Sequence, residues 1–381
     1  MCARRVQRFP MRCLKSFSPQ GFRRFLMQMH TYQPAHLHAL TRCLFEASGA
    51  TPDIACIVAK ILVNANLAGH DSHGVLRIPL YLSHISEGGM NPAAEPTTVR
   101  ESATTLVLDG NGGVGHLTAY RAVHQAMEKA RTSEICSVSF TRVAHIGRLG
   151  EYVEIAARGG FIGICMVGGG SPNTMKVLPF GGKKGSLGTN PIAVGVPTGD
   201  EAPFVIDFAT SMVAEGKLQV ARSKNASIPD TFIVDKNNKP STNPLDFYDG
   251  GFLRAFGEHK GYALSLMVCL MGLLSGAQRE GRRSGGAFMQ VIDISAFTDL
   301  DSYQQDIRAF LDAMKTTEPT DGVDEVLVPG DFEYRNRKHR LKHGIEIPGT
   351  INEQIGEWAD RLKVPVDDSV VEDRDRGHYQ R

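Results

Sequence analysis

The chain has 381 residues, with 42 Lys+Arg against 41 Asp+Glu and a hydrophobic share of 42%. That length fits two or three domains, and the near-neutral balance argues against a dedicated nucleic-acid binder, which needs a clear basic excess. No run reaches the roughly 18–20 apolar residues of a membrane span, and the 40 glycines follow no short period, which excludes collagen and solenoid architectures.

Residues 1–29 read as a basic leader or extension, expected to be disordered. Arg4, Arg5, Arg8, Arg12, Lys15, Arg23 and Arg24 occur there, and the first acid is Glu46. Such composition suits an organellar transit peptide, which would make the protein mitochondrial, or a plain upstream extension of a cytoplasmic protein. From His30 to Asn66 the pattern is helical. Thr51-Pro52-Asp53 reads as N-cap, first-turn proline and first-turn acid, and Ile54, Ile57, Val58, Ile61 and Leu62 recur on one face. Gly69 to Gly74 interrupts this, and a second helix is predicted from Val75 toward Ile85.

The spacing then predicts a strand over Ala103–Leu108, a loop over Asp109–Gly115, a helix over Leu117–Lys129 and a strand over Ile135–Thr141. A loop over Val143–Gly150 and a helix over Tyr152–Ala157 lead to a strand at Phe161–Val167. Gly168–Gly188 is rich in glycine and lysine, and a loop of that length marks function. Short strands follow at Ile192–Pro197 and Phe204–Asp207, then a turn-rich stretch at 221–250. A buried helix is predicted over Gly261–Ser275, a strand over Gln290–Ile294 and an amphipathic helix over Ser302–Lys315. The charged tail after Val364 is expected to fray. This order predicts an α/β (α+β) fold: a central α/β domain over 101–290, and a helical domain formed from both termini, residues 30–100 and 291–365. Residues 366–381 are the charged tail. Seven scattered cysteines without a CxxC pair argue against a disulfide framework or a structural zinc site, and for a reducing compartment.

Several segments carry side chains suited to chemistry. Gly110-Asn-Gly112-Gly-Val-Gly115 matches a dinucleotide-binding glycine pattern, but the strand that follows ends in Thr141-Arg142-Val143, without the acid that reads a ribose. It is read as a plain glycine turn. His70-Asp71-Ser72-His73 offers two imidazoles three apart but no evident third ligand, so an acid–base role is favoured over a metal. Arg77 and Tyr81 follow at helical spacing from His73, and a guanidinium there suits a carboxylate. His145 follows a strand, and Asp207 ends another, where a carboxylate can orient a histidine or cap a helix. Lys260 precedes an apolar helix, a position suited to a phosphate.

Taken together, Gly69–Tyr81, Ala144–Gly147, Pro179–Gly182, Gly188–Pro191, Asp207–Ser211, His259–Tyr262 and Val328–Gly330 resemble the ordered motifs of the malate/L-lactate dehydrogenase family of the non-Rossmann type. That family also includes ureidoglycolate dehydrogenases, diketogulonate reductases and piperideine-2-carboxylate reductases. The resemblance spans about residues 31–365. It implies a homodimer with a nicotinamide-binding fold that does not use the glycine pattern, with NAD or NADP as cofactor, no metal, and no nucleic-acid or membrane partner. It matches His73 and His145 to proton-transfer histidines, and Ser72, Arg77, Tyr81 and Ser171 to substrate-site residues. Asp207 matches an acid near the histidine and nicotinamide. Asn190, Phe208, Ala209, Lys260, Gly261, Gly330, Asp331 and Phe332 match cofactor-binding stretches. Two segments depart from the family pattern: the loop Gln278–Gly286 is shorter, and Gly170-Ser171 replaces an Asn-rich stretch.

The expected reaction is hydride transfer between NAD(P)H and the α-carbon of a small 2-oxo acid, of malate or L-lactate type. Arg77 would fix the carboxylate, His73 by preference would carry the proton, and Asp207 would keep that imidazole oriented and protonated. The rival expectations are a ureidoglycolate dehydrogenase or cyclic-imine reductase of the same family, and a catalytically silent nucleotide-binding paralogue.

Overall fold

The computed structural model describes residues 29–223, 225–276 and 285–379. The leader, apart from Met29, and most of the Gln278–Gly286 loop lie outside the described residues.

Strand β1 (Met29–Tyr32) leads into helices α1 (Pro34–Ala47) and α2 (Pro52–Leu67). Thr51 caps α2, its hydroxyl accepting from Ile54 N at 3.4 Å, and Pro52 occupies the first turn, where its missing N–H leaves no partner wanting. From Ile54 to Leu67 α2 is almost wholly buried, so it is the axis of the main core. Two short 3-10 turns, Asp71–His73 and Val75–Arg77, precede α3 (Ile78–Ser86). The helix predicted from Val75 therefore begins as an α-helix three residues late, because the Asn66 side chain takes the Val75 amide.

Next come β2 (Thr97–Glu101), β3 (Thr105–Gly113), α4 (Gly115–Ser133), β4 (Ile135–Val143), α5 (Gly150–Arg158), β5 (Phe161–Gly169), β6 (Ile192–Val196) and β7 (Phe204–Phe208). Together with β11 (Gly285–Asp293) they form a seven-stranded sheet in the order β2-β3-β4-β11-β5-β6-β7. Only β3 and β4 pair in parallel; every other neighbour is antiparallel. A doubly wound dinucleotide fold needs a mostly parallel sheet, so this is a mixed α/β architecture of another kind.

The glycine pattern is not a loop. β3 continues through Gly113, and a Cβ on Gly110 would lie 2.2 Å from Val143, one on Gly115 2.3 Å from the Ala144 carbonyl. These glycines let the β3–α4 corner press against the end of β4, which is packing and not phosphate binding.

A second, smaller core lies within the region read as one central domain. It joins Val177 and Leu187 of the glycine-rich loop to Val213, Leu218, Ile228, Ile233, Phe247 and Leu253. Its elements are α6 (Glu215–Ser223), β8 (Ile233–Val234), β9 (Pro240–Ser241), α7 (Leu245–Tyr248) and β10 (Phe252–Leu253). Helix α8 (His259–Gly272) then packs against β5 and β11.

After α9 (Leu300–Lys315) the chain returns to its start through α10 (Asp331–His343), β12 (Ile345–Pro348) and α11 (Gly349–Leu362). β12 pairs antiparallel with β1, α10 packs on α2, and α11 on α1 and α3, so both termini build the helical layer. The tail does not fray as its charge suggests. It forms a 3-10 turn at Asp368–Val370 and helix α12 (Asp373–Gly377), with Val370 and Asp375 buried. Asp375 reaches the buried Arg42 at 3.0 Å, so its charge is partnered inside the protein.

The predicted burial of Gly261–Ser275 holds on one face alone. Gly261, Ser265, Val268, Gly272 and Ser275 are inside, while Leu266, Met267, Leu270, Leu273 and Leu274 are exposed. Among the described residues no helix is long and apolar enough to cross a membrane.

Candidate active site

The Gly69–Tyr81 motif is held in its irregular path by groups distant in sequence. Asn66 donates from Nδ2 to Asp71 Oδ1 at 2.6 Å and accepts the Val75 amide at 2.9 Å. Gly74 lies flat against that amide group: a Cβ there would sit 2.1 Å from Asn66 Oδ1. Arg340 of α10 donates to both Asp71 oxygens, at 2.6 and 3.0 Å, a two-point contact that fixes angle as well as distance. His70 turns to Glu333 at 2.9 Å and away from His73, so the two imidazoles do not converge on one ligand point. Asn66 and Arg340 escaped sequence reading. The bridge from Arg340 to Asp71 crosses 269 residues, and no local spacing signals it.

His73 and His145 do come together. Their rings stack with centroids 5.6 Å apart, although one lies in a 3-10 turn and the other in the loop after β4. Tyr81, buried on α3, shares a 2.7 Å hydrogen bond with His145 Nδ1, and Ser72 Oγ lies 3.1 Å from His73 Nδ1. A third imidazole completes the group. His116, in the first turn of α4, is fully buried, 6.2 Å from the His145 ring and 5.4 Å from Tyr81, and neither of its ring nitrogens has a partner among the described residues. Gly147 (φ +79°) covers it, and a Cβ there would lie 2.7 Å from His116 Nε2. His116 directly follows the glycine pattern, but neither a dinucleotide fingerprint nor a plain glycine turn gives the next residue a role of its own.

Burial sets the protonation of this cluster. It holds His73 down to about 3, with His145 and Arg77 adding repulsion, and His145 down to about 4, with Arg77 adding again. His116 is lowered well below the usual imidazole range, first by burial and then by its two neighbours. All three are neutral at pH 7. A neutral imidazole is ready to accept a proton from an alcohol.

Arg77 donates from Nε to the Ser72 carbonyl at 2.7 Å, and its terminal nitrogens have no partner among the described residues. Its fork is thus anchored at one edge and open at the other, the geometry a carboxylate needs. Gly216 of α6 packs on Ser72, where a Cβ would lie 3.0 Å away, so the smaller core abuts the motif.

Asp207 departs from its expected role. Its Oδ2 accepts the Gly150 amide at 2.7 Å, at the start of α5, and it has no histidine hydrogen-bond partner among the described residues. Burial raises its carboxyl, opposed by the buried Arg148 and by the Gly150 N–H. It therefore caps a helix beside an arginine and neither orients nor protonates His73. Asn190 departs too. Buried, it accepts from Gly169 N at 2.9 Å and donates to Ser265 at 2.8 Å and Cys269 at 3.1 Å, so its side chain braces β5 against α8.

The remaining expected positions fall in two places. Lys260 and Gly261 open α8, whose preceding residue Glu258 makes no side-chain cap, and the Phe256 carbonyl approaches Gly261 so closely that a Cβ would lie 2.0 Å from it. Phe180, Arg254 and Glu258 border a cavity of about 170 Å³ beside this helix start. Phe208, with its ring 5.6 Å from Phe256, is exposed on the same side of β7's end, followed by Ala209. An uncapped helix start with a lysine, next to exposed aromatic surface, fits a pyrophosphate and a flat ring. Gly330, Asp331 and Phe332 open α10. Gly330 has φ +102°, Asp331 is bound to Lys315 at 2.9 Å and to Val328 N at 3.1 Å, and Phe332 packs under Gly69. Ser171 lies at the mouth of the glycine-rich loop, its amide on the Ser186 carbonyl.

The sequence pattern described as malate/L-lactate dehydrogenase matches residues 32–356. The chain is 35% identical to a malate/(S)-sulfolactate dehydrogenase of Methanothermus fervidus, over 87% of this chain and 98% of that one. It is 34% identical to hydroxycarboxylate dehydrogenase B of Escherichia coli, over 88% and 95% respectively. The crystal structure of malate dehydrogenase from Entamoeba histolytica superposes with a TM-score of 0.84 at 28% identity, covering 89% of this chain and 99% of that one.

Proposed function

The chain belongs to the malate/L-lactate dehydrogenase family, and on that premise we propose that it moves a hydride between NAD or NADP and the α-carbon of a small 2-hydroxy acid. The observation that carries this is the stacked His73–His145 pair, neutral at pH 7, with His73 in the same motif as the open fork of Arg77. Arg77 binds the substrate carboxylate in two-point fashion, which fixes the α-carbon. His145, held at Nδ1 by Tyr81, accepts the hydroxyl proton through Nε2 in the oxidation direction and returns it in reduction. His73, tied only to its neighbour Ser72, borders the same space, so support shifts from His73 toward His145 as the proton carrier.

The nicotinamide supplies the hydride acceptor when bound. Lys260 and the start of α8 suit its pyrophosphate, and Phe208 and Ala209 suit a ring. The relatives named for malate, sulfolactate and hydroxycarboxylates support a substrate with a carboxylate beside the hydroxyl. Two copies are inferred to associate through the exposed leucines of α8 and its extension. The described cysteines are all free, which suits a reducing cytoplasm.

The test is a panel of 2-oxo acids, with a cyclic imine and ureidoglycolate beside them, run with each cofactor. Turnover on a 2-oxo acid that collapses in Arg77→Ala and His145→Ala is the expected result. Cofactor binding with no turnover on any member would replace this reading with the silent paralogue.

A further inference from the structure

His38, Cys56 and His378 bring Nε2, Sγ and Nε2 together, all within 4.8 Å of one another. They come from α1, from α2 and from the residue just past α12. Cys56 Sγ lies 3.9 Å from His38 Nε2 and 3.6 Å from His378 Nε2. A tetrahedral zinc ion with bonds of about 2.3 Å to sulfur and about 2.0–2.1 Å to nitrogen sets those atoms about 3.6 Å apart. Both sulfur–nitrogen distances already stand near that spacing.

The second layer is equally specific. His38 Nδ1 is 2.7 Å from Asp375 Oδ1, and Asp375 is fully buried, gripped by Arg42 at 3.1 and 3.0 Å. A carboxylate on Nδ1 places the ring proton there and leaves the Nε2 lone pair facing Cys56. This carboxylate–histidine pairing is the usual support of a metal-bound imidazole. A buried histidine held only for packing does not need its second nitrogen aimed at a thiol and another imidazole.

We propose that His38, Cys56 and His378 form a binding site for a divalent transition-metal ion of the zinc type, which fastens the C-terminal tail to α1 and α2. On binding, the Cys56 thiol releases its proton to solvent and the thiolate and two neutral imidazoles take three positions. The fourth faces solvent beside the exposed His378 and is filled by water. Thiolate and imidazole together select zinc over hard cations such as magnesium or calcium. His378 lies beyond the residues 32–356 matched by the family pattern, so the third ligand comes from the tail of this chain. The site shares no residue with the His73–His145 cluster, and its fate is independent of the proposed reaction.

The experiment uses the full chain without an affinity tag, stripped by chelator and titrated with cobalt(II), then with zinc(II). One cobalt per chain is expected, with a thiolate-to-cobalt charge-transfer band that zinc abolishes, and a raised melting temperature in zinc. Cys56→Ser loses the band. His378→Ala, altered at an exposed position that leaves the fold intact, weakens zinc binding by about tenfold or more. Cys43→Ser, at a half-buried thiol on α1 outside the cluster, changes neither. Absence of the band, or a band that survives Cys56→Ser, overturns the proposal.

Discussion

Tyr81 and His145 share a 2.7 Å hydrogen bond that joins α3 to the loop after β4, across 64 residues of sequence. The phenol is buried, and burial raises its pKa, so it stays a neutral hydroxyl that locks the imidazole ring. Tyr81→Phe keeps the ring's packing and removes that lock. A positioned acid–base is worth roughly 10²–10⁴-fold, and loss of its orientation forfeits part of that, so kcat is expected to fall about 10- to 100-fold with KM little changed. Steady-state kinetics of the variant on the substrate found by the panel decide this. An unaltered kcat would leave Tyr81 with packing alone.

The depressed imidazoles also make stability depend on pH. His73 and His145 titrate near 3 and 4 in the folded protein but near the ordinary 6.5 once unfolded. Between those limits the unfolded chain holds more protons, so their contribution is full above about pH 6.5 and is lost as pH falls through the folded values. The melting temperature of the cofactor-free protein should therefore drop between pH 7 and pH 5. Replacing both by glutamine should lessen that slope, with His116 still contributing in the same direction, and an equal slope in the double variant would show that other groups set it.

Gly74 tests the turn itself. Its φ of −90° lies outside the left-handed region, and the clear demand for glycine is a Cβ that would collide with Asn66. Gly74→Ala should cost about 1–3 kcal/mol in urea unfolding, the range for overpacking, and should lower kcat/KM because Ser72 and Arg77 ride on the same turn. Adding Asn66→Ala relieves the clash. Stability should then recover in part, while activity should not, since the Asp71 and Val75 anchors are gone.

These cases show what a sequence exposes and what it hides. The caps, the core face of α2 and most strands follow from local periodicity, because each is decided within one or two turns of chain. The motif residues His73, Arg77, Tyr81 and His145 were legible for the same reason, as short runs of unusual chemistry. What joins them was not. Arg340 on Asp71 and Asp375 on Arg42 cross 269 and 333 residues. The partner of Asp207, the Gly150 amide, is not legible because the end of a strand looks alike whether its carboxylate faces an imidazole or the amide of a helix start. The glycine pattern was rightly set aside on its missing acid, but its packing role needed the neighbouring strand to be visible. The docking of the tail is hidden because composition does not say whether a charge has a buried partner, as Asp375 has in Arg42.

The outer face of α8 gives a direct check of assembly. Leu266, Met267, Leu270, Leu273 and Leu274 form one exposed apolar strip, and contiguous patches of this kind mark association surfaces. Light scattering should report a dimer for the wild-type chain and a monomer for a Leu270→Glu, Leu274→Glu variant. A wild-type monomer at micromolar concentration, or a variant that stays dimeric, would move the interface elsewhere or remove it.

The docked tail offers the last case. Arg42 is 1% exposed and depends on Asp375 for two of its hydrogen bonds, with Glu46 at 3.2 Å and Glu372 at 3.3 Å as its other close acids. Asp375→Ala strands part of a buried charge and frees His38 Nδ1 as well, a change in the class that costs about 3–5 kcal/mol. Glu46 moderates the loss toward the lower end, and Asp375→Asn, which keeps one acceptor, should lose less. Replacing both partners, Arg42→Met with Asp375→Leu, removes the stranded charge and should regain much of the deficit, since apolar side chains of similar size often match a buried pair. Chemical unfolding measures all three. Because no described residue of the tail hydrogen-bonds or ion-pairs with the Asp71–Tyr81 turn, KM should hold in every folded variant; a shifted KM would mean that the tail helps set the geometry of the substrate motif.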